Sequence, residues 1–109
     1  MAKSKGDELE MVVDTFEEVL YSSRPSGELA RLRLTTDDPA YTCLVSFWRG
    51  RKPLPEATVN HDEQRVELHY PYAALRDIVA MLKNPDQMVC VVFDGPRSSR
   101  LVGKVPTLE

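Results

Sequence analysis

The stretch from Tyr72 to Asn84 constrains the fold more tightly than any other part of this sequence. Pro71 precedes it and Pro85 follows it, while Leu75, Ile78, Val79 and Leu82 recur between them at helical spacing. Proline is tolerated in the first turn of a helix, where its missing N–H has no partner to lose, and it cannot continue one from inside. The spacing predicts an amphipathic helix over 72–84 with a firm start and stop. Met88 to Phe93 follows as an unbroken apolar run containing three valines, which reads as a strand buried on both faces. The helix should bury its apolar stripe against Met88, Cys90, Val92 and the segment 41–48.

Upstream, several segments have readable faces. In Leu29–Thr35, Ala30, Leu32 and Leu34 alternate with Arg31 and Arg33, as in a half-buried strand with a basic outer face. Thr36-Asp37-Asp38-Pro39 is turn chemistry. Tyr41–Trp48 is apolar on both faces and reads as a central strand, whereas Arg49–Pro55 holds two prolines and reads as a loop. A turn at Asp62-Glu63 sets Thr58 against Glu67, Val59 against Val66, Asn60 against Arg65, Ala57 against Leu68 and Glu56 against His69. Apolar and polar residues then sort cleanly onto separate faces, and a one-residue slip would destroy the sorting. Leu101–Val105 returns as a last, shorter strand.

The N-terminal segment reads less cleanly. Leu9, Val12, Val13, Phe16, Val19 and Leu20 fall on a helical stripe, and Asp7 with Glu10 resembles a capping box. The spacing predicts a helix over Leu9–Tyr21. The β-branched Val12, Val13, Thr15 and Val19 favour the competing reading, a strand that turns back across Arg24-Pro25-Ser26-Gly27. The expected fold is α+β: an antiparallel-dominated sheet of five to six strands, with the helix over 72–84 and an N-terminal helix packed on one face.

At 109 residues, with 42% hydrophobic and 28% charged residues, the chain is expected to form one domain over 9–107 behind a flexible tail of residues 1–8. Leu108-Glu109 resembles a cloning remnant. Cys43 and Cys90 lie in apolar strand-like runs and read as two buried thiols. Residues 1–7 lack the apolar run of a signal peptide, and nothing approaches the length of a membrane span, so a cytoplasmic protein is expected.

No motif announces a chemistry. His61 and His69 fall at opposite ends of the predicted hairpin strand and cannot share an ion, so no metal is expected. The cysteines lack Cys-x-x-Cys spacing, Ser22, Ser23, Ser26, Ser98 and Ser99 sit in turns without a nucleophile-elbow context, and Gly95 and Gly103 form no phosphate-binding loop. No cofactor is expected, and the chain reads as a non-enzyme. The net charge of −3 weighs against duplex DNA as a partner. Yet acids crowd the N-terminal fifth, and Arg31, Arg33, Arg49, Arg51 and Lys52 gather around Trp48, the one tryptophan. Arginines contact phosphates and aromatic rings stack on unpaired bases, so these six residues form the candidate binding set, for protein or for single-stranded nucleic acid.

The element order over Leu29–Asn84, a curved antiparallel sheet followed by a helix, resembles the outline of the positive-cofactor and Whirly families of single-stranded-DNA-binding proteins. That resemblance implies a nucleic-acid surface on the sheet. The favoured function is non-catalytic binding of a protein partner, as an adaptor, inhibitor or immunity-type protein. Single-stranded nucleic-acid binding is the alternative, and a small enzyme built on the His61–His69 hairpin ranks third. The sequence leaves a homodimer open.

Overall fold

The computed structural model describes residues 8–22, 24–37, 39–50 and 53–105 of the chain. Their strands are β1 (Glu8–Leu20), β2 (Glu28–Thr36), β3 (Thr42–Trp48), β4 (Thr58–Asn60), β5 (Arg65–Pro71), β6 (Met88–Asp94) and β7 (Arg100–Lys104). A turn of 3-10 helix, Tyr72–Ala74, runs directly into the helix α1, Leu75–Lys83. The strands join in the order β4-β5-β3-β2-β1-β6-β7, and every neighbouring pair is antiparallel except β3 with β5. The result is a seven-stranded mixed sheet curled into a half-barrel, not five or six antiparallel strands, and its N-terminal element is a strand, not a helix.

The misreading of β1 has a physical cause. Its ladder with β2 takes in one extra residue, Asp14, between the pairs Val13–Thr36 and Thr15–Thr35. Such a bulge shifts the alternation of faces beyond it. Leu9, Met11 and Val13 meet the core before it, and Phe16 meets the core after it. The step of three from Val13 to Phe16 imitates helical spacing inside a strand. The β-branched residues carry the truer signal, and the turn back across Arg24–Gly27 is the one that forms. Gly27 occupies it at φ 92°, and the Tyr21 N–H donates to the Leu29 carbonyl at 3.0 Å. Of the expected tail, Glu8 begins β1, and residues 1–7 lie outside the described residues, as does Leu108-Glu109.

The hairpin register holds for Thr58–Glu67, Val59–Val66 and Asn60–Arg65. There the ladder stops, because the Ala57 N–H donates instead to the Pro96 carbonyl at 3.1 Å, across the open side of the half-barrel. With three residues and two prolines just before it, β4 cannot serve as a central strand and takes the edge. β5 then fills the place beside β3 over the full length from Thr42–Arg65 to Trp48–Pro71. Since β4 carries the chain back antiparallel to β5, the β3–β5 pair is parallel. That pair also removes the resemblance to a simple antiparallel sheet over Leu29–Asn84.

Side chains pointing into the curl make the core. Leu32, Leu34, Val45, Phe47, Val66 and Val91 are wholly buried, and Phe47 stacks on Tyr70 with ring centroids 6.1 Å apart. Leu75 and Ile78 of α1 enter this core, and Val79 and Leu82 pack at its margin. Val89, Cys90 and Val91 are buried in succession, as expected of a strand covered on both faces. Met88 is not under the helix as expected but 42% exposed. The far end of α1 lies over β7, where a methyl group on Gly103 would come 2.9 Å from Met81 Sδ. Cys43 and Cys90 are free and buried, and burial pushes the Cys43 thiol up to about 12.

Leu32 packs in the middle of the central ladder, so Leu32→Ala should cost about 2–5 kcal/mol. Leu54→Ala, at a 37% exposed loop position, should change little. Urea unfolding followed by the emission of Trp48 measures both.

Candidate binding surfaces

The sheet offers a convex face carrying the arginines and a cleft beside the helix. On the convex face, side chains line up in rows across the ladders. One row runs Val19, Arg31, Ser46, His69, and the next runs Glu17, Arg33, Leu44, Glu67. Of the six residues singled out from the sequence, Arg31, Arg33 and Trp48 therefore share this face. Arg49 is exposed in the turn after β3, and Arg51 and Lys52 lie outside the described residues.

Most of the basic character of this face is engaged internally. A bulge in the β2–β3 ladder sets Glu28 opposite Trp48, and the Glu28 side chain is only 3% exposed. Arg31 reaches it with two bonds, Nε to Oε2 at 3.0 Å and Nη2 to Oε1 at 3.1 Å, and Arg24 Nη2 stands 3.6 Å from Oε1. A buried carboxylate is tolerated only when paired in this way. The bond to Glu28 raises the pKa of Arg31, against the smaller effect of burial. Arg33 lies between Glu17 on β1 and Leu44 on β3, with Glu67 one strand further on.

Trp48 is tied down too. Its Nε1–H donates to His69 Nδ1 at 3.0 Å, which requires a neutral imidazole with Nδ1 bare. Burial lowers the His69 pKa, Glu67 and Glu28 pull against it, and Arg31 adds to the lowering. The other histidine belongs elsewhere: His61 Nδ1 is 2.9 Å from the Tyr41 hydroxyl, beside the β4–β5 turn. Among the described residues, no three His, Cys, Asp or Glu side chains are grouped to hold a metal.

The cleft arises from the bend in β1. Glu8–Val12 pair with β6, whereas Val13 and, beyond the bulge, Thr15–Leu20 pair with β2 alone among the described residues. One edge of this stretch is consequently unpaired, and every second residue there directs its N–H and C=O outward. Beside it lies a cleft of about 420 Å³ lined by Glu18 of β1, by Tyr72 and Ala73, and by Leu75, Arg76 and Val79 of α1. Tyr72 in its wall is 44% exposed, and Leu20, at the end of the same strand as Glu18, is 63% exposed. No sequence reading pointed here, because Glu17 and Glu18 pass for the solvated face of a helix. The β-branched content of 12–19 is the one signal that would have recovered the strand.

The chain matches no protein-family model, and no curated protein or solved structure is detectably similar to it. No helix among the described residues is long and apolar enough to cross a membrane.

Two outcomes follow for the convex face. Arg31→Ala leaves Glu28 with Arg24 as its remaining ion-pair partner and should cost about 1–3 kcal/mol, read by thermal unfolding. His69 has a folded pKa below its ordinary 6.5, so its contribution is fully present above that value. As pH falls, the unfolded chain takes up the proton first and stability drops. Between about pH 7 and pH 5 the melting temperature should fall and Trp48 emission should change, and His69→Leu should remove the emission change.

Proposed function

We propose that the protein is a non-catalytic binding domain for a protein partner, of the adaptor, inhibitor or immunity type, and that the cleft between β1 and α1 is its contact surface. The observation that carries this reading is the edge of Val13–Leu20, unpaired among the described residues, beside a cleft walled by Ala73, Leu75 and Val79 with Glu18 and Arg76, and with Tyr72 exposed at it. Exposed apolar surface next to unsatisfied backbone groups is what a docking protein covers.

Single-stranded nucleic acid is the weaker reading. It rests on Arg33 and Arg49, because Arg31 is committed to Glu28 and the indole N–H of Trp48 to His69. Glu17 and Glu67 stand in the same row as Arg33, and they would repel phosphates.

A photo-crosslinking residue placed at Ala73 should yield a protease-sensitive protein adduct in the native cell. The same residue at Thr58, on the opposite edge strand β4, should not. A short oligonucleotide should leave Trp48 emission unchanged at low salt. Quenching that weakens with salt by about 0.7 of a counterion per phosphate, with no adduct at Ala73, would replace this reading by the nucleic-acid one.

A further inference from the structure

The sheet has other edges, and they are blunted. β4 has three residues and β7 five, and each is linked across the half-barrel. The Ala57 N–H, just before β4, donates to the Pro96 carbonyl at 3.1 Å, and the Leu101 N–H of β7 donates to the Tyr70 hydroxyl at 3.2 Å. Short, pinned edges are how sheets avoid further pairing. Among the described residues Val13–Leu20 is the exception: eight residues long, regular after Asp14, and facing a helix across a cleft.

We infer that this edge receives an extended segment of the partner as an added strand, lying in the cleft in line with β6 and carrying lysine or arginine. The inference rests on the protein-binding reading above and names the chemistry of the partner. An added strand satisfies the outward N–H and C=O groups of β1, and its alternate side chains would enter a cleft walled by Ala73, Leu75 and Val79, with Glu18 and Arg76 as its charged members. At about 3.3 Å per residue, the stretch has room for a segment of about six to eight residues.

Charge selects the occupant. β1 holds Glu8, Glu10, Asp14, Glu17 and Glu18 and no lysine or arginine. Glu10 is paired with Lys104, whereas Asp14, Glu17 and Glu18 lie on the unpaired stretch; Glu17 stands opposite Arg33 of β2 and Arg76 faces the cleft with Glu18, so the three carboxylates outnumber the two cations there. Residues directly opposite each other on adjacent strands have Cβ atoms about 5 Å apart, where like charges repel and opposite charges attract. A basic strand therefore fits. A second copy of this chain does not, because antiparallel self-pairing centred on Glu17 and Glu18 sets carboxylate against carboxylate. An acidic strand is excluded on the same ground.

The test selects a displayed library of random decapeptides on the full chain. The enriched peptides should carry lysine or arginine at alternate positions and lack proline in their middle. They should slow amide exchange at 13–20, bind at least tenfold more weakly to the Glu17→Lys, Glu18→Lys double variant, and lose binding when alternate backbone nitrogens are methylated. Both substitutions are at exposed positions, and an unchanged melting temperature shows that the variant is folded. Acidic or helical consensus peptides, undiminished binding to the double variant, or no enrichment at all would overturn the inference. Enriched peptides that protect a different surface, together with an adduct at Ala73, would sink the strand addition and leave the protein-binding reading standing. Failure of both experiments would remove both.

Discussion

The bulge at Asp14 is the feature on which the rest of the molecule depends. It lets one strand serve two ladders, with β6 along Glu8–Val12 and with β2 along Val13–Leu20. Without it, β1 would keep one alternation throughout, and Phe16 would turn away from the core that Leu9, Met11 and Val13 help to build. A bulge also strengthens local twist. Here it coincides with the point where β1 loses β6, so the same residue that joins the two halves of the sheet also opens its wall. The core and the cleft thus share one cause.

Among the described residues, closure of the half-barrel uses few bonds, at its edges or one strand in from them. Ala57 reaches Pro96, Tyr70 reaches Leu101, and Arg97 stands 3.3 Å from Glu56 on the surface. The exposed ion pair adds little, because water screens it. The backbone bond and the tyrosine hydroxyl are more consequential, since they occupy N–H groups that edge strands would otherwise present. The prolines around Leu54 have the complementary effect, denying β4 any extension toward a central position. Only the stretch beyond Asp14 escapes these devices among the described residues.

The convex face shows how a charge pattern changes meaning once strands pair. Arg31 and Arg33 alternate with leucines and look like a basic stripe along β2. In the sheet, Arg31 neutralises Glu28, and Arg33 stands next to Glu17. Trp48 and His69 complete a polar cluster whose bonds are internal. A satisfied cluster of this kind holds β2, β3 and β5 in one register, since displacement of any strand would strand the buried Glu28 carboxylate or the indole N–H.

The sequence by itself determined the elements whose signals are local. Proline at each end bounds the helix, alternation marks β2, the continuous apolar run marks β6, and face sorting sets the register of Thr58–Asn60 against Arg65–Glu67. The burial of Cys43 and Cys90 was equally legible, because each sits in an apolar run, Cys43-Leu44-Val45 and Val89-Cys90-Val91, where a small thiol packs as a hydrophobe. Tertiary structure decided what depends on partners far along the chain. It made Leu9–Leu20 a strand, because pairing with β2 and β6 outweighs a helical stripe that a bulge counterfeits. It made β3 and β5 parallel, because a three-residue β4 could only be an edge. It engaged Arg31 and Trp48 internally and left Val13–Leu20 with an edge beside α1 that is unpaired among the described residues. Periodicity reports which face a residue prefers, whereas the choice of neighbouring strand, and of the edge that lacks one, is made only when the whole sheet assembles.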